Sequence, residues 1–238
     1  MTKKRSTPFA LSLFVFITST TLITLPLVAQ AKIDPSLPNE PLYHKRVLLI
    51  FPGFETVHNP DIPVPPLRPR QKFEMAYLKT VDPSFEAQSV IFAGMTQTGW
   101  YGPNYGPGWG PYSQRVGYFA AGLASNNLFT DGILPVMFHQ DPRYFRKGRG
   151  SIVSRAWWAM RSEGVCLNDQ GHESANVSKL LGYGMSTALA NSYSPGDVNT
   201  FGGTMERVGV KIGVTFIANL VREFGPTTSK TEIAKPIP

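Results

Sequence analysis

The sequence predicts an all-α fold: a compact bundle of five or six helices, preceded by a proline-rich extended arm. Two observations predict it. Apolar residues recur at the three- and four-residue spacing of helices in several segments between residues 71 and 225. Outside these segments, only the short apolar run at residues 46–54 could form a strand or a strap, and it has no evident strand partner.

The single cysteine, Cys166, excludes an intrachain disulfide, so stability must come from packing.

The first thirty-one residues predict a signal peptide. Lys3, Lys4 and Arg5 precede a long apolar stretch, which ends at the small residues Ala29 and Ala31 of a cleavage site. Cleavage would leave 207 residues (238 − 31) and lower the net charge from +7 to about +4, because three cations and no acids are removed. We therefore expect an exported protein of the periplasm or cell envelope that binds no nucleic acid. An uncleaved anchor helix is the alternative.

Composition divides the rest of the chain into three parts. Residues 32–70 are rich in proline, which removes backbone donors and fixes φ, so they predict an extended arm. Residues 71–225 predict the helical domain, and residues 226–238 a disordered tail. Within the domain, Asp82 and Pro83 suit the N-cap and first position of a second helix that runs to about Thr98. Later helices are expected within 114–138, 150–164, 173–194 and 204–224.

Small residues repeat every fourth position in the later helices: Gly182, Ser186 and Ala190 in one, Gly209 and Gly213 in the last. Because glycine inside a helix costs about 1 kcal/mol relative to alanine, such repeats need a compensating contact. They predict close helix packing, either in a soluble bundle or in helices associated with a membrane. The last helix has one apolar side and one charged side, which suits a core helix and a membrane-surface helix equally.

Cations and aromatic rings alternate around residues 143–158. We call this set the basic-aromatic block: Arg143, Tyr144, Arg146, Lys147, Arg149, Arg155, Trp157 and Trp158. Asp141-Pro142 predicts a short helical turn over 142–146, which would place Arg143, Arg146 and Lys147 on one face. Such a face suits contact with anionic lipid or an envelope polyanion. The alternative is a connector whose arginines cap the carboxyl ends of neighbouring helices.

Two other functions stay open. His139 and Asp141 could serve a hydrolase or a lipid-modifying enzyme, although residues two apart do not face the same point on a helix or a turn. The second possibility is a structural protein that self-associates as a homo-oligomer through Gly209 and Gly213. Zinc-site, redox and serine-nucleophile motifs are absent, so the sequence predicts no metal and no cofactor.

Several motifs in fixed order resemble a family of uncharacterised exported bacterial proteins. They are "QKF" at 71–73, a Tyr-Gly loop, "QDPRYFR" at 140–146 and "EFGP" at 223–226, and the resemblance extends from about residue 45 to 226. It implies an all-helical domain behind a signal peptide and brings no catalytic residues. The leading hypothesis is therefore an exported, non-enzymatic helical protein that associates peripherally with the envelope or membrane through the basic-aromatic block.

Overall fold

A computed structural model describes residues 33–38, 46–47, 51–59, 61–97, 104–195 and 199–225. The predicted signal peptide and the tail at 226–238 lie outside the described residues. Within the described part the chain is mostly helical, as predicted, and it also contains three small two-stranded sheets. The fold is thus helical in its main architecture without being strictly all-α.

The described residues contain six longer helices and one of a single turn. They are α1 (Pro69–Thr80), α2 (Pro83–Gln97), α3 (Trp109–Asn127), α4 (Leu134–Met137), α5 (Ile152–Arg161), α6 (Val177–Asn191) and α7 (Phe201–Phe224). A π-helical segment, Leu128–Ile133, joins α3 to α4. The strands are β1 (Arg46–Val47), β2 (Phe51–Pro52), β3 (Thr56–Val57), β4 (Tyr144–Phe145), β5 (Val165–Leu167) and β6 (Glu173–Ala175).

Short polar side chains start several helices by accepting hydrogen bonds from free backbone N–H groups. Asp82 Oδ1 accepts from Ser84 N at 2.9 Å, so α2 begins where the Asp-Pro pair predicts it. Ser151 Oγ accepts from Ser154 N at the start of α5, and Thr200 Oγ1 accepts from Gly203 N at the start of α7. The predicted helix positions therefore follow from local sequence.

The described residues of the proline-rich arm include three short strands and contacts with the helical domain. β1 and β2 pair antiparallel within the run 46–54, and β3 pairs in parallel with β4. Ile33 and Val57 of the arm form a buried cluster with Phe145 and Leu167. Such contacts give the arm a fixed place on the domain.

The helical turn predicted over residues 142–146 is wrong, because Tyr144 and Phe145 form β4. Asp141 does begin a turn, with its Oδ1 accepting from Arg143 N at 2.9 Å. The chain then extends along the arm, where Arg146 N donates to the carbonyl of Val57 at 3.0 Å. This partner lies far away in sequence, so local capping rules cannot reveal it.

The two small-residue repeats behave differently. Gly182, Ser186 and Ala190 lie on the buried side of α6. An added Cβ at Gly182 would lie 2.6 Å from Thr130 Cγ2 of the π segment, so the helices meet there at the closest distance that glycine allows. Gly209 and Gly213 have no such neighbour within 4 Å among the described residues. Within the described part of the chain no helix packs closely on that pair, and self-association through it stays a prediction.

Several helices have polar side chains on the buried side and apolar side chains on the outside. In α7, Arg207, Asn219 and Glu223 are buried, whereas Ile217 is 61 % exposed. The exposed side of α6 consists of leucine, methionine and alanine, and its one charged residue, Lys179, is half-buried. Of the described helices, α3, α5 and α6 have no fully exposed charged residue. No helix in the described ranges is both long enough and apolar enough to cross a membrane.

Candidate functional site

A buried ionic cluster lies where Glu55 of the arm meets α1, the π segment and α7. Lys79 Nζ lies 2.7 Å from Asp131 Oδ2 and 3.4 Å from Glu55 Oε2, and Arg222 is hydrogen-bonded to Glu55. Burial acts to lower the pKa of Lys79, but Asp131 and Glu55 outweigh it and raise that pKa above its usual value. Two acids thus balance two cations inside the fold.

A cavity of about 180 Å³ borders this cluster and lies between α2, α3, α6 and α7. Aromatic and aliphatic side chains form most of its wall: Phe85, Phe92, Phe119, Leu123, Val210, Val214 and Ala218. Asn126, Arg207 and Lys211 add polar groups on one side. A smaller cavity of about 100 Å³ also borders the cluster, and Glu55, Lys79 and Arg222 line both.

Lys211 is the unusual group in the larger cavity. Its ammonium donates to Ser186 Oγ at 2.6 Å, and Ser186 Oγ lies 3.2 Å from Asn126 Oδ1. Burial lowers the pKa of Lys211 to about 8, and the neighbouring charge of Arg207 contributes. Among the described residues no carboxylate lies within ion-pairing distance of Lys211. An uncompensated positive charge therefore faces a mainly apolar space.

Replacing Lys211 by methionine is expected to raise the melting temperature at neutral pH. Because the folded-state pKa of about 8 lies below the ordinary lysine pKa of 10.5, the protonated lysine destabilises the fold below about pH 8. The free energy of unfolding of the unmodified protein should therefore increase as the pH rises from about 8 towards 10.5. The Lys211→Met variant should not show this increase. Thermal melts followed by circular dichroism across this range measure both effects.

Lys179→Met is the matched control for that substitution. Lys179 Nζ lies 3.0 Å from Glu163 Oε1, so its removal leaves a buried acid without its cation and should lower the melting temperature. A fall of similar size in both variants would contradict the environment described for Lys211.

The basic-aromatic block converges on one buried acid, Glu223, near the end of α7. The carboxylate accepts from Tyr144 OH at 2.8 Å, Lys147 N at 2.9 Å and Arg155 Nε at 2.8 Å. The backbone carbonyl of Glu223 accepts from Arg146 Nε at 2.9 Å and also from Arg155. Burial raises the pKa of Tyr144, and the negative charge of Glu223 raises it further. These arginines therefore cap the carboxyl end of a helix, which is the connector role.

The rest of the block is divided between the interior and the surface. Arg143 Nη2 lies 2.6 Å from Asp141 Oδ2 and also donates to the Pro65 carbonyl at 2.9 Å. Trp158 Nε1 donates to the Phe145 carbonyl at 2.8 Å. Arg149 and Trp157 are the two exposed members, and Arg149 pairs with the exposed Asp61.

His139 and Asp141 do not form a joint site. The His139 side chain is 76 % exposed, and its nearest acid is Asp169, with Nδ1 3.9 Å from Oδ2. The Asp141 side chain is fully buried and engaged by Arg143. The described residues contain no group of three or more His, Cys, Asp or Glu side chains placed to hold a metal ion. A hydrolase built on this pair therefore has no support in the geometry.

The sequence did not single out the cavity with Lys211, nor the set of hydrogen bonds around Glu223, which we call the junction at Glu223. Glu223 belongs to the E-F-x-P motif, and Lys211 to the charged side of the last helix. The sequence therefore draws attention to both residues but does not indicate what they contact. Chemically, the cavity can hold an apolar group beside one positive charge, and the junction holds distant segments together. Comparisons of the chain with protein-family models, with curated proteins and with solved structures find no match.

Proposed function

We propose that the protein is an exported, non-enzymatic helical protein of the cell envelope that associates with lipid through the outward faces of α5, α6 and α7. The observation that carries this proposal is the inverted polarity of these helices. We define the apolar outer face as the exposed residues Ile152, Val153, Trp157, Met160, Leu180, Leu181, Met185, Leu189 and Ile217.

Physical chemistry favours an apolar partner for this face. Full burial of such a side chain is worth about 1.5–3 kcal/mol, and each of these partly exposed side chains forgoes a share of that free energy in water. Exposed apolar patches of this kind mark interaction surfaces. Meanwhile Arg207, Arg222 and Glu223 of α7 turn inward and contact polar groups of other segments, which is an arrangement that a lipid environment selects.

Lipid fits the face better than a single protein partner. The residues of the apolar outer face lie on three helices, with α5 and α6 both packed on α7. Trp157 and Arg149 combine a half-exposed indole with a surface cation, a pair suited to the headgroup region. Because most cations of the basic-aromatic block are bound inside the protein, we assign the main contact to the apolar outer face and a lesser one to Arg149.

We expect the protein to float with both neutral phosphatidylcholine vesicles and vesicles that contain phosphatidylglycerol. Apolar contacts are not screened, so about 0.5 M NaCl should leave most of the binding intact. The double variant Leu181→Glu/Met185→Glu should reduce the fraction bound by roughly tenfold or more, because charges are costly in the apolar layer. Flotation in a density gradient measures this fraction.

Ser113→Glu/Gln114→Glu is the matched control, since it adds the same charge at two exposed positions of α3 outside the apolar outer face. It should float like the unmodified protein. Equal loss in both double variants would count against the proposal. If the protein stays at the bottom of the gradient and forms dimers that Leu181→Glu/Met185→Glu dissociates, self-association replaces lipid as the function of this face.

A further inference from the structure

The larger cavity combines two chemical environments in one space. α2 and α3 supply three phenylalanine rings to its wall, and α7 supplies Val210, Val214 and Ala218. Arg207 Nη1 donates to Tyr118 OH at 2.8 Å, which ties α7 to α3 beside the cavity. Glu55, Lys79 and Arg222 border it as well, and Glu55 pairs with both cations. Lys211 and Asn126 also line it, and Ser186 behind the wall is hydrogen-bonded to both.

Lys211 differs from other inward-facing lysines of the described chain in its partner. Lys72, Lys79 and Lys179 each lie within 3.0 Å of a carboxylate oxygen. The ammonium of Lys211 has only the neutral hydroxyl of Ser186 as its hydrogen-bond acceptor among the described residues. A cation that is largely removed from water without an acid gains most from a partner that brings its own negative charge.

We propose that this cavity binds a small fatty-acid-like amphiphile, with its carboxylate at Lys211 and its hydrocarbon chain against Phe85, Phe92 and Phe119. The carboxylate supplies the negative charge that Lys211 lacks as a partner, and Asn126, which accepts from Ser186, also lines the cavity. Apolar cavities of about 150 Å³ hold a molecule the size of benzene, so a space of about 180 Å³ takes part of a medium-length chain. The site is separate from the apolar outer face, and either can fail without the other.

A catalytic use of the same residues is weaker. Ser186 and Lys211 are within hydrogen-bonding distance, as a nucleophile and its base would be. Ser186, however, is completely buried and does not line the cavity, and its hydroxyl lies 3.2 Å from the Tyr183 carbonyl. A substrate in the cavity would not reach it, so binding is the function that this geometry favours.

Isothermal titration of the full chain with decanoate and with decan-1-ol tests the proposal. The two ligands share a chain and differ in charge. We expect one decanoate per chain, bound at least roughly tenfold more tightly than the alcohol, as a charge-assisted contact provides. Lys211→Met should abolish this preference, and Ala218→Phe should prevent both ligands from binding by filling the cavity. Arg149→Met, a change of the same kind at a surface cation, should leave both affinities unchanged.

Equal affinity for the two ligands, absence of saturable binding, or a preference that survives Lys211→Met would overturn the proposal. A second measurement needs no variant: decanoate should protect Lys211 from acetylation, read by peptide mass spectrometry, while Lys147 outside the cavity stays reactive. Unprotected Lys211 at saturating decanoate would likewise overturn it. Ala218→Phe should float with vesicles like the unmodified protein, which separates failure of this site from failure of the proposed function.

Discussion

Replacing Glu223 by glutamine is expected to be among the most destabilising single changes in the chain. The carboxylate accepts hydrogen bonds from Tyr144, Lys147, Gly148 and Arg155, and its side chain is fully buried. Glutamine keeps the shape but removes the charge, and its amide nitrogen would face donors. Breaking a buried pair in this way costs about 3–5 kcal/mol, a large part of the 5–15 kcal/mol that stabilises a typical domain. Urea unfolding followed by circular dichroism measures the loss.

Glu173→Gln is the matched control for Glu223→Gln. Glu173 pairs with Arg161 at 2.8 Å near the surface, where both side chains keep more than a quarter of their exposure. Exposed pairs contribute about 0–1 kcal/mol, so this variant should unfold at nearly the urea concentration of the unmodified protein. Equal midpoints for the two variants would show that Glu223 is not the junction described.

Gly182→Ala is expected to destabilise the protein although alanine is the better helix former. Its Cβ would lie 2.6 Å from Thr130 Cγ2 and 3.2 Å from Thr130 Cα. Thr130 cannot easily rotate away, because its Oγ1 donates to the Asn126 carbonyl at 2.8 Å. Overpacking of this kind costs about 1–3 kcal/mol, more than the gain of about 1 kcal/mol from helix propensity. Equilibrium unfolding in urea measures the net change.

Gly184→Ala, in the same helix, should have the opposite sign. A Cβ at Gly184 meets nothing within 4 Å, so the change should add up to about 1 kcal/mol of stability through helix propensity alone. If both substitutions stabilise the protein, then α6 and the π segment are not in the close contact described here.

The helices could be predicted because their signals are local. Asp82-Pro83 marks the start of α2, and apolar spacing marks α5, α6 and α7. β4 could not be predicted in this way, because Tyr144 and Phe145 become a strand only through pairing with Thr56 and Val57, almost ninety residues earlier. The same limit applies to small residues: Gly182 and Gly209 both begin four-residue repeats, and only the tertiary arrangement decides which one meets a neighbour.

The orientation of α7 shows a second limit of prediction from sequence. Its sequence separates an apolar side from a charged side, but the pattern alone does not state which side turns inward. Ordinary expectation puts the apolar side in the core, whereas Arg207, Asn219 and Glu223 are the buried residues. They can be buried because distant partners satisfy them: Tyr118 for Arg207, Glu163 for Asn219, and Tyr144 for Glu223. The basic-aromatic block is recognisable from its composition, but its structural role depends on a distant partner, Glu223.

The junction at Glu223 also has a consequence for biosynthesis. The acceptor lies 79 residues after Tyr144 and 68 after Arg155, so a nascent chain presents the donors long before their acceptor has been made. Because ribosomes synthesise the chain from its amino terminus, the donor segments cannot make these hydrogen bonds until the last helix has been synthesised. This tertiary structure can therefore form only after the last helix has emerged from the ribosome. A chain truncated before residue 223 would lack the acceptor and would be exposed to chaperones and proteases.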